Sequence, residues 1–321
     1  MLLHTIATNK VEWIKEFSRL FYMSLFCFGI WLQALYHSDF VNKHIKNIVM
    51  VMAIVYIAIQ LISLCMLKSP YGTLKNPHYL AQYSMLLIPV FSLFLHHANI
   101  KSKLVLIVLL ACVVGLLLHT NSRPAWLSLI LTLLVMSLYY KHKFKAFLSA
   151  VVVILVLWIT DIGNFSDQLT ALFKQITTEE RVYIWHDIWQ LQQQSTIKQW
   201  VFGHGLGGYE STFTHFGALE LSGVATFNSP HNFLLEILYT AGMLGFVGVG
   251  MFYFLLYRKL FQELAATEQF KNLTLLLITL LTMNLFFVAI TVPIFSSYHL
   301  LITALVCGVF IYMQQLNKVI K

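Results

Sequence analysis

Three polar stretches in an otherwise apolar chain carry residue types suited to group transfer. The first, 119-HTNSRPAWLSL-129, holds Arg123; the second, 177-TTEERVYIWHDIWQLQQQ-194, holds Arg181; the third, 226-TFNSPHNFLLEILYTAGMLG-245, holds His231, Asn232 and Glu236. A guanidinium binds phosphate oxygens through paired N–H groups. A neutral imidazole takes a proton from an attacking hydroxyl. A helix N-terminus offers free N–H groups and a favourable dipole to a phosphate. Brought together, these groups would let a hydroxyl displace a phosphate-linked leaving group.

Local signals suggest how each group is held. In the third stretch Ser229 is a plausible N-cap and Pro230 suits the first helical position, which places His231 in the first turn. The helix dipole there disfavours an imidazolium. Asn232 and Glu236 are i, i+4 neighbours, expected to hydrogen-bond each other. Glu236 lies five residues from His231, on another face, and reads as support. In the second stretch Thr177 and Glu180 fit a capping box. Arg181, Trp185 and Trp189 follow at i, i+4, i+8 on one stripe, as in a helix lying at a bilayer surface. In the first, Pro124 suits an opening helical turn and Arg123 stands at its mouth.

Between the last two stretches lies 203-GHGLGGY-209. It has no strand–turn–helix context for a nucleotide loop and reads as a tight turn, with His204 and Tyr209 as further supporting candidates. His186, His204 and His215 form no zinc pattern, so neither a metal nor any other cofactor is expected. Cys27, Cys65, Cys112 and Cys307 all sit in apolar runs and read as small buried hydrophobes.

The elements that must position these residues are membrane spans. The 321 residues are 59% hydrophobic and only 11% charged, less than half the roughly 25% charge of a soluble domain. Apolar windows of about 19 residues fall near 18–36, 47–66, 80–96, 103–119, 124–140, 145–160, 231–257, 272–292 and 298–315. The reading is therefore all-α and polytopic, with about nine transmembrane helices. It divides into an N-terminal amphipathic segment 1–17, spans over 18–160, one large loop over 161–230, and further spans over 231–321.

Basic residues alternate between the short loops. Lys43, Lys46, Lys101, Lys103, Lys141, Lys143, Lys145, Arg258, Lys259, Lys271, Lys318 and Lys321 fall on one side, while Lys68, Lys75 and Arg123 fall on the other. The positive-inside rule makes the first side cytoplasmic and the 161–230 loop external, or periplasmic in a Gram-negative cell. All three polar stretches then share the outer face. The net charge of +8 follows from the same rule, and no nucleic-acid partner is expected. Nine spans with the C-terminus inside leave residues 1–17 outside, as if earlier spans preceded them.

The motifs and their order resemble the O-antigen ligase / O-antigen polymerase superfamily. The matching features are S-R-x-x-W at Ser122–Trp126, R-x-x-x-W at Arg181–Trp185, G-x-G-x-G-G at Gly203–Gly208 and P-H-N-x-x-L-E-x-x-x-x-x-G at Pro230–Gly242, with a weaker echo at 76-NPHYLAQY-83. The resemblance implies a GT-C-like glycosyltransferase of the cell inner membrane with a periplasmic active face. It implies a glycan donor on undecaprenyl diphosphate and, for a ligase, a lipid A-core acceptor, with membrane lipid as surroundings. Transfer would be inverting and metal-independent. Carried over, Arg123 and Arg181 bind the diphosphate and His231 is the base. The alternative within the superfamily is a repeat-unit polymerase. A transporter would place ionisable residues near mid-membrane, where these spans are nearly free of them.

Overall fold

The computed structural model describes residues 38–65, 77–97, 100–120, 122–137, 180–205, 208–209, 230–266, 270–289, 291 and 297–320, with single positions at 151, 155, 159 and 170. The expected span at 18–36, most of 145–160, segment 1–17, Thr177 and much of the 161–230 loop lie outside the described residues. Among those described, every regular element is helical: α1 Ser38–Cys65, α2 Pro77–His97, α3 Ile100–His119, α4 Arg123–Ser137, α5 Glu180–Gln193, α6 Ile197–Phe202, α7 Phe233–Ala266, α8 Lys271–Val288 and α9 Ser297–Ile320.

Each expected span that falls on described residues coincides with a helix. Segments Ser102–His119, Phe233–Ala266 and Lys271–Val288 are long and apolar enough to cross a membrane, and shorter apolar stretches occur at Ala53–Leu64, Arg123–Leu134 and His299–Gln314. Val51, Ile54, Val55 and Ile62 of α1 and Leu104, Val105, Ile107 and Val108 of α3 are exposed. Apolar side chains turned outward in this way suit a hydrocarbon solvent. The architecture is consistent with a membrane protein.

The chain forms two compact units. One contains α1 to α4 with most of α8. Here α2 packs along α3, α1 also packs on α3, and α2 on α4. Its core joins Ala53, Ile57, Phe91, Leu106 and Val113. Two features interrupt this regular apolar packing. Pro89 lies inside α2, where it removes one backbone donor. The buried Gln82 Nε2 donates to Asn284 Oδ1 of α8 at 2.9 Å, a bond worth about 0.6–2 kcal/mol between membrane helices.

The other unit contains α5, α6, most of α7 and the start of α9. Ile184 and Ile188 of α5 are buried with Tyr209 and Tyr239. The stripe of α5 turned to the core therefore runs through Ile184, Asp187 and Ile188, and Trp189 stays exposed beside it. Further along α7, the Tyr253 hydroxyl meets Nε2 of the fully buried His299 at 2.8 Å, which ties α7 to α9.

Candidate active site

Helix α7 begins two residues beyond His231, not before it. The Asn232 side-chain oxygen accepts the Leu234 and Leu235 amides at 3.1 and 3.2 Å. Asn232 is thus the N-cap, whose oxygen satisfies the N2 and N3 donors. This corrects the sequence expectation. Pro230 is not the first residue of α7 and His231 lies outside its first turn, while Ser229 lies outside the described residues. Positions 232 and 236 are also linked through the main chain, Glu236 N–H donating to Asn232 O at 2.9 Å. Asn232→Ala should cost about 1 kcal/mol in thermal or denaturant unfolding, and Asn232→Gly only a few tenths.

His231 adopts a left-handed backbone conformation, with φ 51°. Outside glycine this costs roughly 1–2 kcal/mol, and such residues concentrate at functional sites. Contacts on both sides hold it. Its Nδ1 meets the main-chain oxygen of Thr291, between α8 and α9, at 2.5 Å. The Trp185 indole N–H donates to the Pro230 oxygen at 2.9 Å. The tryptophan that opens the expected surface stripe of α5 is therefore turned onto the peptide preceding His231. The imidazole itself is half-buried.

The glycine motif docks against α7. After Phe202 the chain turns with φ 77° at Gly203 and 93° at Gly205. The His204 and Gly205 amides donate to the Tyr239 and Thr240 carbonyls at 2.8 and 2.9 Å. These bonds fall just before the point where α7 breaks, at Gly242, where φ is 65°. A Cβ on Gly203 would fall 2.3 Å from the Thr240 oxygen, and one on Gly242 would fall 2.4 Å from the Val201 oxygen. Both positions therefore demand glycine. The tight turn read from sequence is present, and its purpose is to join α6 to the α7 kink.

His204 and Tyr209 belong to this joint. The His204 ring stacks on Tyr239 with centroids 4.1 Å apart, and its Nε2 meets Ser195 Oγ at 2.8 Å. Tyr209 packs edge-on against Tyr239 at 6.0 Å. Burial, with nearby Asp187, Tyr239 and Glu236, pushes the Tyr209 phenol well above its usual range, so it stays protonated. Both residues brace the joint. Helix α6, between α5 and the glycines, opens on a capping box of Thr196 and Gln199. The spacing was visible in 196-TIKQ-199.

Arg123 belongs to the other unit, with neighbours of its own. It opens α4, Pro124 follows in the first turn as expected, and the Ser122 carbonyl accepts the Ala125 and Trp126 amides. The buried Ser122 hydroxyl meets His78 Nδ1 at 3.1 Å. His78 is the second residue of α2, in the 76-NPHYLAQY-83 echo, and sequence reasoning gave it no role. Arg181 lies in the first turn of α5, four residues before Trp185.

A family model described as O-antigen ligase matches residues 105–250. This assigns the matched segment to the O-antigen ligase family. The family segment runs from within α3 past the Gly242 kink of α7, and so contains Arg123, Arg181, the glycine joint and His231. Thr291 and His78 lie outside it. No curated protein matches the chain. Among the described residues no group of three or more His, Cys, Asp or Glu side chains is placed to hold a metal ion. The family points to ligase- or polymerase-type glycosyl transfer.

Proposed function

We propose that the chain is an O-antigen ligase, moving a glycan from undecaprenyl diphosphate to a hydroxyl of lipid A-core at the periplasmic face of the inner membrane. The observation that carries the reading is the placement of His231: it stands just ahead of the α7 N-terminus, half-buried, with Nδ1 held at the Thr291 main-chain oxygen. Nε2 takes the proton of the acceptor hydroxyl. The oxygen attacks the anomeric carbon from the side opposite the diphosphate and forms the new glycosidic bond. The bond from anomeric carbon to phosphate oxygen breaks, and its electron pair leaves on undecaprenyl diphosphate. Arg123 and Arg181 neutralise the charge developing there. One displacement inverts the anomeric centre, and the residues given roles suffice without a metal.

The test is transfer by purified protein from undecaprenyl-diphosphate glycan to rough lipopolysaccharide. Arg123→Ala and Arg181→Ala should each lower kcat about 100- to 1000-fold, at normal protein levels, and EDTA should leave the wild-type rate unchanged. Wild-type turnover by either variant removes that arginine from the diphosphate site. Product appearing only with a second lipid-linked repeat as acceptor would instead identify a polymerase.

A further inference from the structure

The contacts around His231 fix more than its place. A main-chain carbonyl accepts hydrogen bonds and never donates. The Nδ1 that meets the Thr291 oxygen therefore carries the hydrogen. A neutral imidazole has one N–H, so its lone pair sits on Nε2. A carbonyl does not titrate, so this orientation needs no carboxylate and adds no charge beside a diphosphate.

Trp185 acts on the same residue through the backbone. An indole has a single donor, and here it goes to the Pro230 oxygen. That oxygen belongs to the peptide joining Pro230 to His231. Its direction relative to the His231 Cα is the φ angle of His231, the one found at 51°. Turning this peptide would swing the imidazole away from Thr291. Trp185 thus holds the left-handed conformation that presents Nε2, from the helix whose first turn carries Arg181.

We propose that Trp185 is a positioning residue for His231 and that, with the Thr291 carbonyl, it commits the imidazole to the Nδ1–H tautomer with Nε2 as the working nitrogen. This rests on the reading of His231 as the base. It assigns a purpose to the tryptophan of R-x-x-x-W that a bilayer-facing stripe does not supply, and it brings the α8–α9 connection, outside the family segment, into the site.

The test uses the full chain in nanodiscs, 15N-labelled at histidine. A His231→Asn difference spectrum isolates the His231 ring. In wild-type protein above the ring's titration, Nδ1 should give the protonated type of signal and Nε2 the unprotonated type. Trp185→Phe keeps an aromatic ring but loses the donor. It should lower kcat about 10- to 100-fold, leave KM for the undecaprenyl-diphosphate donor unchanged, and give a mixed tautomer signal. An Nε2–H tautomer in the wild type overturns the inference even if the variant fails to fold. So does wild-type kcat in Trp185→Phe, or a raised donor KM with kcat unchanged, which would make Trp185 a donor contact. If His231→Asn itself transfers normally, the base reading fails, a result distinct from these.

Discussion

His231→Ala should abolish glycosyl transfer while the protein accumulates in the membrane at its usual level. A positioned general base contributes roughly 100- to 10,000-fold. Folding should survive, because the cap of α7 is Asn232 and the aromatic cluster of Ile184, Ile188, Tyr209 and Tyr239 does not include His231. One confounder is backbone strain. Alanine at φ 51° costs about 1–2 kcal/mol, so a dead alanine variant could reflect a displaced loop. His231→Asn removes that ambiguity. Asparagine tolerates the left-handed region and offers no base. Both variants should be inactive, and Asn should match wild type in thermal stability more closely than Ala. Turnover within tenfold of wild type in the asparagine variant would end the assignment of His231 as the base.

What the sequence made legible follows from the range of each signal. Apolar runs are long and local, so α1 to α4 and α7 to α9 fall where hydropathy places them. Pro124 marked the start of α4 because a proline fits the opening turn of a helix and not its interior. The start of α7 was misread for a related reason. Ser229, Pro230 and Asn232 offer two competing caps within four residues, and only the backbone turn at His231 decides between them. The Trp185 stripe was read by periodicity, which cannot tell a face toward lipid from a face toward Pro230. Thr291 left no trace at all, because it contributes a main-chain oxygen and any residue but its geometry would read the same. Sequence thus singled out Arg123, Arg181 and His231 as candidates, while the contacts that orient His231 are properties of the fold.

The same contrast between local pattern and long-range contact sets the second large effect. Gly203→Ala and Gly242→Ala should each destabilise the protein by several kcal/mol and suppress transfer with it. Each glycine has a positive φ, at a cost to alanine of about 1–2 kcal/mol. Each new Cβ would also overlap main chain at 2.3–2.4 Å, on the Thr240 or the Val201 oxygen. Overpacking costs a further 1–3 kcal/mol or so where side chains can yield, and carbonyls fixed in a helix and a turn yield less. Gly248 provides the internal control, since a Cβ there meets nothing within 4 Å. In a helix interior its replacement by alanine should be neutral or stabilising by up to about 1 kcal/mol. Because Gly203 and Gly242 face one another across a single contact, the first substitution opens the joint and the second finds it already open. The double variant should therefore lose much less than the sum of the two singles, the signature of coupled sites. Thermal unfolding in detergent, read for all four proteins, decides the matter. If the two single losses add fully, or if neither glycine variant differs from Gly248→Ala, the glycine motif does not dock on the α7 kink. Its place in the family segment would then need another physical reason.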